Sequence, residues 1–221
     1  MKVYVLTVGD EVRLARMEKQ LEGIEYELIH SEPEELLKEY NNKYSERQLK
    51  FSSRTLSLGE MGAWRIHARA WGKVIEQNVP CLIFEDNALV YPDLIEKLPQ
   101  IMEDIRDYGL ISFTEHMKRS ASTSPYRITR WNFGLHMYGI TPFYADGILT
   151  RVEKLGYNFP IDSWLRRMKL AQIRVFSSSY KLASRTPRKV LGTFAQNNIP
   201  KKSYKITHVF HRLLNKIKYR T

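Results

Sequence analysis

Glu85 and Asp86, followed by the amide of Asn87, stand at the end of the apolar run Cys81-Leu82-Ile83-Phe84, and a second apolar run, Ala88-Leu89-Val90, follows at once. Two adjacent carboxylates and an amide oxygen are hard donors. They suit a divalent cation, and such a cation suits a diphosphate. The first run is short and bounded by Pro80, so it reads as a buried strand of an α/β sheet. Open parallel sheets bind ligands at the carboxyl ends of their strands, which is where these groups fall. An ordinary strand ending in a solvated acidic turn explains the same residues without a ligand.

Other residues with chemical potential are more scattered. Glu115 and His116 follow the apolar stretch Gly109–Thr114 and would serve acid–base chemistry, or simply a solvated turn. His67 lies one step round from a helical stripe of Met61, Trp64, Ala68, Trp71 and Ile75, which reads as core. On this position alone it reads as a hydrogen-bonded, half-buried histidine. Glu60, three residues after Ser57, has capping-box spacing at the start of that helix, which accounts for it without a ligand.

The elements that must position these groups alternate strand and helix. Lys2 to Val8 reads as a strand ending at the turn Gly9-Asp10, with Asp10 capping a helix that carries Val12, Met17 and Leu21 and stops at Gly23. Ile24 to Ile29 reads as a second strand. Ser31 and Glu34 have capping-box spacing, and Asn41 to Ser53, polar and without clear period, reads as a surface loop. After the helix from Ser57 to Gln77 come a helix over Asp93 to Tyr108 and a strand over Gly109 to Thr114. Met117 to Tyr126 reads as a loop over the site. The aromatic-rich stretch Trp131 to Tyr144 supplies either core or a stacking wall for a sugar. There is no internal repeat.

The chain of 221 residues is 43% hydrophobic and 12% aromatic, enough for one well-buried α/β domain and a small extension. The single cysteine cannot build a disulfide framework, and no apolar stretch approaches the ~20 residues needed to span a bilayer. No signal-peptide pattern precedes the first strand, so a cytoplasmic protein is expected. Charge is unevenly spread. Residues 1–162 hold 20 basic and 24 acidic groups, whereas the last 59 residues hold 15 basic groups and no acid. In Ser203 to Tyr219, Ile206, Val209, Phe210, Leu213, Leu214 and Ile217 share one helical face, with Lys205, Arg212, Lys216 and Lys218 off it. That basic amphipathic helix suits an anionic membrane surface, or a docked helix with a solvated back. Nucleic acid would not reward the apolar face and is not expected as a partner.

Several ordered motifs resemble glycosyltransferase family 25, the lipopolysaccharide and lipooligosaccharide glycosyltransferases. Met1 to Val8 is similar to its first strand, and Arg13-Leu14-Ala15-Arg16-Met17 to its R-R-x-x-M helix. Arg54 to Trp71 resembles the R-x-L-[ST]-x-G-E-x-G-C-x-x-S-H segment, and Glu85-Asp86-Asn87 its E-D-D. Gly139-Ile140-Thr141 to Leu155 resembles A-Y-x-I-[ST]-x-x-G-A-x-x-L, and Pro160-Ile161-Asp162-Ser163-Trp164-Leu165 resembles P-[VI]-D-x-x-L. The matches run from residue 1 to about 167. Ala63, Ile66 and Asn87 depart from the pattern, and an amide is a weaker ligand for a hard cation than a carboxylate.

The resemblance implies an α/β, GT-A-like nucleotide-sugar-binding open sheet over residues 1–185 with a basic extension over 186–221. It implies an inverting transfer of a hexose, most commonly galactose, from a UDP-sugar to a glycolipid acceptor at the inner face of the bacterial inner membrane. Thr7, Arg13, Arg54, Glu60, His67, Glu85 and Asp86 are then the candidate donor-binding residues. Asp86 and Asn87 are candidate ligands of Mn2+ or Mg2+. Asp162 is the candidate acceptor-side base, or an N-cap, with Glu115 as its rival. Two other readings stand beside it: a non-catalytic relative that binds a partner at the membrane, and a basic nucleic-acid-binding module.

Overall fold

A computed structural model describes residues 1–115, 125–127, 134–166 and 173–187. Strand β1 (Lys2–Thr7) sits beside β2 (Glu27–His30) and β3 (Cys81–Glu85), parallel to both. The seven-stranded sheet runs β2-β1-β3-β7-β5-β8-β6, where β5 is Leu110–Ser112, β6 Tyr126–Arg127, β7 Met137–Ile140 and β8 Phe176–Ser177. Strand β7 is antiparallel to both of its neighbours, β3 and β5. A second, two-stranded sheet pairs β4 (Ala88–Val90) with β9 (Ala183–Arg185).

The central strands are apolar on both faces because both are covered. Tyr4, Leu6, Ile83 and Tyr138 pack under α3 (Leu58–Gln77), α5 (Pro142–Leu155) and α6 (Ile161–Arg166). Val3, Val5, Leu82, Phe84 and Met137 pack under α1 (Glu11–Gln20) and α4 (Leu94–Tyr108). Helix α3 runs against the strand direction: Gln77 near its end accepts a hydrogen bond from Tyr4 at 2.8 Å, while His67, earlier in the helix, reaches Glu85 at the end of β3. The first half of α3 therefore borders the carboxyl edge of the sheet.

Two local expectations fail. Residues 41–53 are not a loop, because α2 runs over Glu34–Ser52. Its inner stripe is Leu37, Tyr40, Tyr44, Gln48 and Phe51. Gln48 is fully buried and its Oε1 accepts the Leu56 N–H at 2.9 Å, so an amide occupies a position where the pattern calls for an apolar group. The box expected at Ser31 also does not form. Pro33 is the N-cap, and Ser31 instead donates its backbone N–H to the Thr7 carbonyl at 2.9 Å. By contrast, the Ser57–Glu60 box is complete, and Asp10 caps α1 through the Arg13 N–H at 3.1 Å.

Among the described residues no helix is long and apolar enough to cross a membrane. The amphipathic stretch 203–219 lies outside the described residues, as do His116, nearly all of the loop expected over 117–126, and Trp131. Of the aromatic stretch that follows, Tyr138 is fully buried, so it is core and not a stacking wall.

Candidate active site

The end of β3 is tied to its surroundings residue by residue. The Glu85 carboxylate takes His136 Nδ1 at 2.6 Å on Oε2, and His67 Nε2 lies 3.3 Å from Oε1. Behind them, Trp71 Nε1–H donates to the Tyr138 hydroxyl at 2.9 Å, and that hydroxyl lies 2.8 Å from His67 Nδ1. A hydroxyl that receives the indole proton can give its own to Nδ1, which leaves the Nε2–H of a neutral His67 for Glu85. Burial alone would raise the Glu85 pKa. The charge and hydrogen bond of His136, then the hydrogen bond of His67, outweigh it and hold the carboxyl well below the usual range. His67 is fully buried, more deeply than the sequence suggested.

Asp86 turns the other way. Its Oδ1 accepts from the Arg13 guanidinium at 3.0 Å and its Oδ2 from the Val8 N–H at 3.2 Å, with the residue only 4% exposed. Arg13 is 3% exposed and also faces Asp10 at 4.0 Å. Thr7 shapes the intervening turn: its Oγ1 accepts the Gly9 N–H at 2.9 Å, and Gly9 has φ +83°, a value open to glycine at little cost. One turn along α1, Arg16 donates to the carbonyls of Asp86 at 3.0 Å and Ala88 at 3.1 Å and to Thr186 Oγ1 at 2.6 Å. Burial, then the charge of Arg13, lowers its pKa. The Asn87 carbonyl accepts the Thr186 N–H at 3.1 Å, while its side-chain Oδ1 is enclosed without a partner.

Thr7, Arg13, His67, Glu85, Asp86 and Asn87 are thus brought to one sheet edge. The remaining candidates lie elsewhere. Arg54 and Glu60 grip each other at 2.6 and 2.7 Å, and Glu60 also accepts the Ser57 N–H at 2.9 Å, so both are engaged in starting α3. Glu115 is exposed beyond β5 and accepts from the Tyr91 hydroxyl at 2.6 Å, which raises the Tyr91 pKa. Asp162 lies in the first turn of α6 and accepts the Ser163 N–H at 2.7 Å. The next residue, Trp164, meets Trp64 edge-on at 5.4 Å, one turn before His67 on α3.

Sequence reading missed His136, Tyr138 and Thr186 as partners of the acidic motif. His136 and Tyr138 had been visible only as members of an aromatic stretch. Arg16 was visible in the R-R-x-x-M-like segment, but nothing there said where it would point.

The donor set does not fit a hard divalent cation. Each carboxylate oxygen of Glu85 and Asp86 faces a nitrogen donor, and the one amide oxygen is enclosed. Among the described residues no group of three or more His, Cys, Asp or Glu stands ready to hold a metal ion.

An open α/β sheet with an acidic turn at the carboxyl end of a central strand defines a ligand-binding domain of the nucleotide-binding kind. The sequence profile of glycosyltransferase family 25 (LPS biosynthesis protein) matches residues 1–163, and the protein belongs to that family. It is a glycosyltransferase, an enzyme that passes a sugar from a donor to a glycoconjugate acceptor.

No curated protein matches the chain. Among solved structures it is similar to a UDP-glucose pyrophosphorylase in complex with UDP-glucose, at 14% identity over 82% of this chain and 91% of that one, with a TM-score of 0.45. It is also similar to a Desulfovibrio desulfuricans G20 protein described as a nucleotide-diphospho-sugar transferase, at 13% identity over 100% and 98%, with a TM-score of 0.41. A third likeness is to A197 from STIV, at 13% identity over 81% and 83%, with a TM-score of 0.42. Likenesses this distant add nothing to the family assignment.

Proposed function

We propose that the enzyme moves a hexose, galactose in the first instance, from a UDP-sugar to a lipooligosaccharide or lipopolysaccharide acceptor with inversion. The observation that supports this reading is the stitch between two strand ends, Val8 N–H to Asp86, at the carboxyl edge of β1 and β3, the edge at which open sheets bind ligands. In the reaction an acceptor hydroxyl oxygen attacks the anomeric carbon, the bond from that carbon to the diphosphate oxygen breaks, and UDP leaves with the electron pair. The hydroxyl proton goes to a carboxylate. Asp162 is our choice for that base, with Glu115 as the alternative. Residues 203–219 would hold the enzyme against an anionic membrane on its cytoplasmic face, where the acceptor lipid resides.

A panel of nucleotide sugars, read by melting temperature, tests the donor. A true donor at ~100 times its dissociation constant adds about 2.7 kcal/mol and UDP-hexoses should stand out. Asp162→Asn tests the base: turnover should fall by about 10²–10⁴ with donor binding intact. Asp162 lies inside the first turn of α6 and is not its N-cap; an Asn there keeps an oxygen for the Ser163 N–H, so a purely structural Asp162 leaves turnover near normal and passes the role to Glu115.

A further inference from the structure

We propose that His136 presents the lone pair of its Nε2 to a hydroxyl group of a bound hexose, and so helps to select and orient the sugar. The inference rests on the hexose-transfer reading above and deepens it.

Two observations carry it. The first is the direction of a hydrogen-bond chain that runs from α3 to the end of β3. It begins at the Trp71 indole, a group that can only donate, and the Tyr138 hydroxyl receives that hydrogen at 2.9 Å. The hydroxyl turns its own hydrogen to His67 Nδ1 at 2.8 Å, which leaves the Nε2–H of His67 facing Glu85 Oε1 at 3.3 Å. Glu85 is ionised, and a carboxylate only accepts, so its Oε2 takes a hydrogen from His136 Nδ1 at 2.6 Å. In acid, where Glu85 would titrate, that ring is charged. In the neutral ring a hydrogen on Nδ1 leaves a lone pair on Nε2. A carboxylate that fixes the tautomer and direction of an imidazole is the arrangement by which such rings are aimed at substrate.

The second is where the lone pair lies. Among the described residues His136 Nε2 is neither hydrogen-bonded nor enclosed, and the side chain keeps 19% of its surface open. The His136 carbonyl accepts the Glu85 N–H at 3.0 Å, which pins the ring beside the carboxyl end of β3. It stands on the side of the sheet covered by α3, because Glu85 reaches His67 there. Helix α6, which carries Asp162, packs on the same side. An outward lone pair at this edge chooses its partner by chemistry. The diphosphate of a nucleotide sugar has no hydrogen to give, whereas every free hydroxyl of a hexose has one.

The hydroxyl can belong to the hexose of the donor or to that of the acceptor, and the experiment separates the two. The parent, His136→Phe and His136→Gln are titrated calorimetrically with UDP, UDP-galactose and UDP-glucose, then assayed for transfer to octyl galactoside and octyl glucoside. With a donor hydroxyl, His136→Phe should weaken the UDP-hexose about tenfold and leave UDP unchanged. With an acceptor hydroxyl, donor affinities should hold and the KM for the octyl glycoside should rise about tenfold, with kcat less affected. In both cases His136→Gln should recover part of the loss, because its amide oxygen can accept from the same hydroxyl. Folded variants that match the parent in both arms overturn the proposal while the transfer reading stands. Failure of UDP and of both UDP-hexoses to bind the parent overturns the transfer reading itself. As an independent readout, long-range proton–nitrogen NMR spectra of the full chain in alkaline buffer should show His136 protonated on Nδ1 and bare on Nε2. The reverse tautomer overturns the proposal without reference to activity.

Discussion

His136 and Glu85 are joined twice: Nδ1 to Oε2 at 2.6 Å, and the Glu85 N–H to the His136 carbonyl at 3.0 Å. The backbone bond extends the ladder between β3 and β7, so the side-chain pair is fixed by strand register. A slip of the β7 strand by one residue would turn the His136 side chain to the opposite face, away from Glu85.

Replacing Glu85 with Gln keeps the shape but removes the charge that both histidines face. We expect a loss of about 1.5–3 kcal/mol in urea denaturation at neutral pH. Because the folded carboxyl is held below its ordinary value, its stabilisation is full above ~4.3 and drains away as the pH falls toward the depressed value. Parent and variant should therefore converge in acid. A constant gap down to the acid limit would show that the charge is immaterial.

Asp86→Ala leaves Arg13 enclosed with its main partner gone, and should cost about 3–5 kcal/mol. Replacing both members, Arg13→Met with Asp86→Leu, should restore much of that stability without restoring transfer. If the single variant is as stable as the parent, the pair does not anchor the motif.

Lys181 donates to Ser177 Oγ at 2.6 Å, and burial brings its pKa down to about 8. The unfolded chain holds that proton up to ~10.4, so between the two values it binds more protons than the folded protein does. The cost of keeping the buried amine charged is then full below pH 8 and is relieved as the pH rises toward ~10.4. Comparing the parent with Lys181→Met, the stability difference should move in favour of the parent across that window. A difference that does not change with pH would contradict the burial argument.

Gly139 lies in the middle of β7, and a Cβ there would come within 2.1 Å of Ile105 Cγ1 and 2.4 Å of Cδ1. Gly139→Ala should cost about 1–3 kcal/mol through overpacking. Trimming the partner with Ile105→Ala should make the two changes non-additive, which a double-mutant cycle measures directly.

The apolar runs and caps made much of this fold legible. Lys2 to Val8 and the run ending at Glu85 became neighbouring parallel strands, and Ser57 with Glu60 marked the start of α3. Where the sequence misled, a polar group stood in an apolar role. Gln48 broke the period of α2, yet it is as buried as any leucine because the Leu56 N–H needs it. The site was half legible for a different reason. Glu85, Asp86 and His67 announced themselves by type and spacing, but the partners that decide their chemistry come from afar. His136 lies 51 residues from Glu85 in the chain. It arrives only because β7 enters the sheet against the direction of its neighbours, and no local pattern records that insertion.

The same insertion has a consequence for synthesis. Strand β3 can pair with β1 soon after it leaves the ribosome, but its other edge waits until Met137 to Ile140 have been made. Until then the nascent chain shows an unpaired strand edge that is apolar from Cys81 to Phe84, the template on which intermolecular pairing starts. Any pause in translation before residue 137 would lengthen that exposure. The yield of this protein from a cell should accordingly depend on how quickly the middle of its message is read.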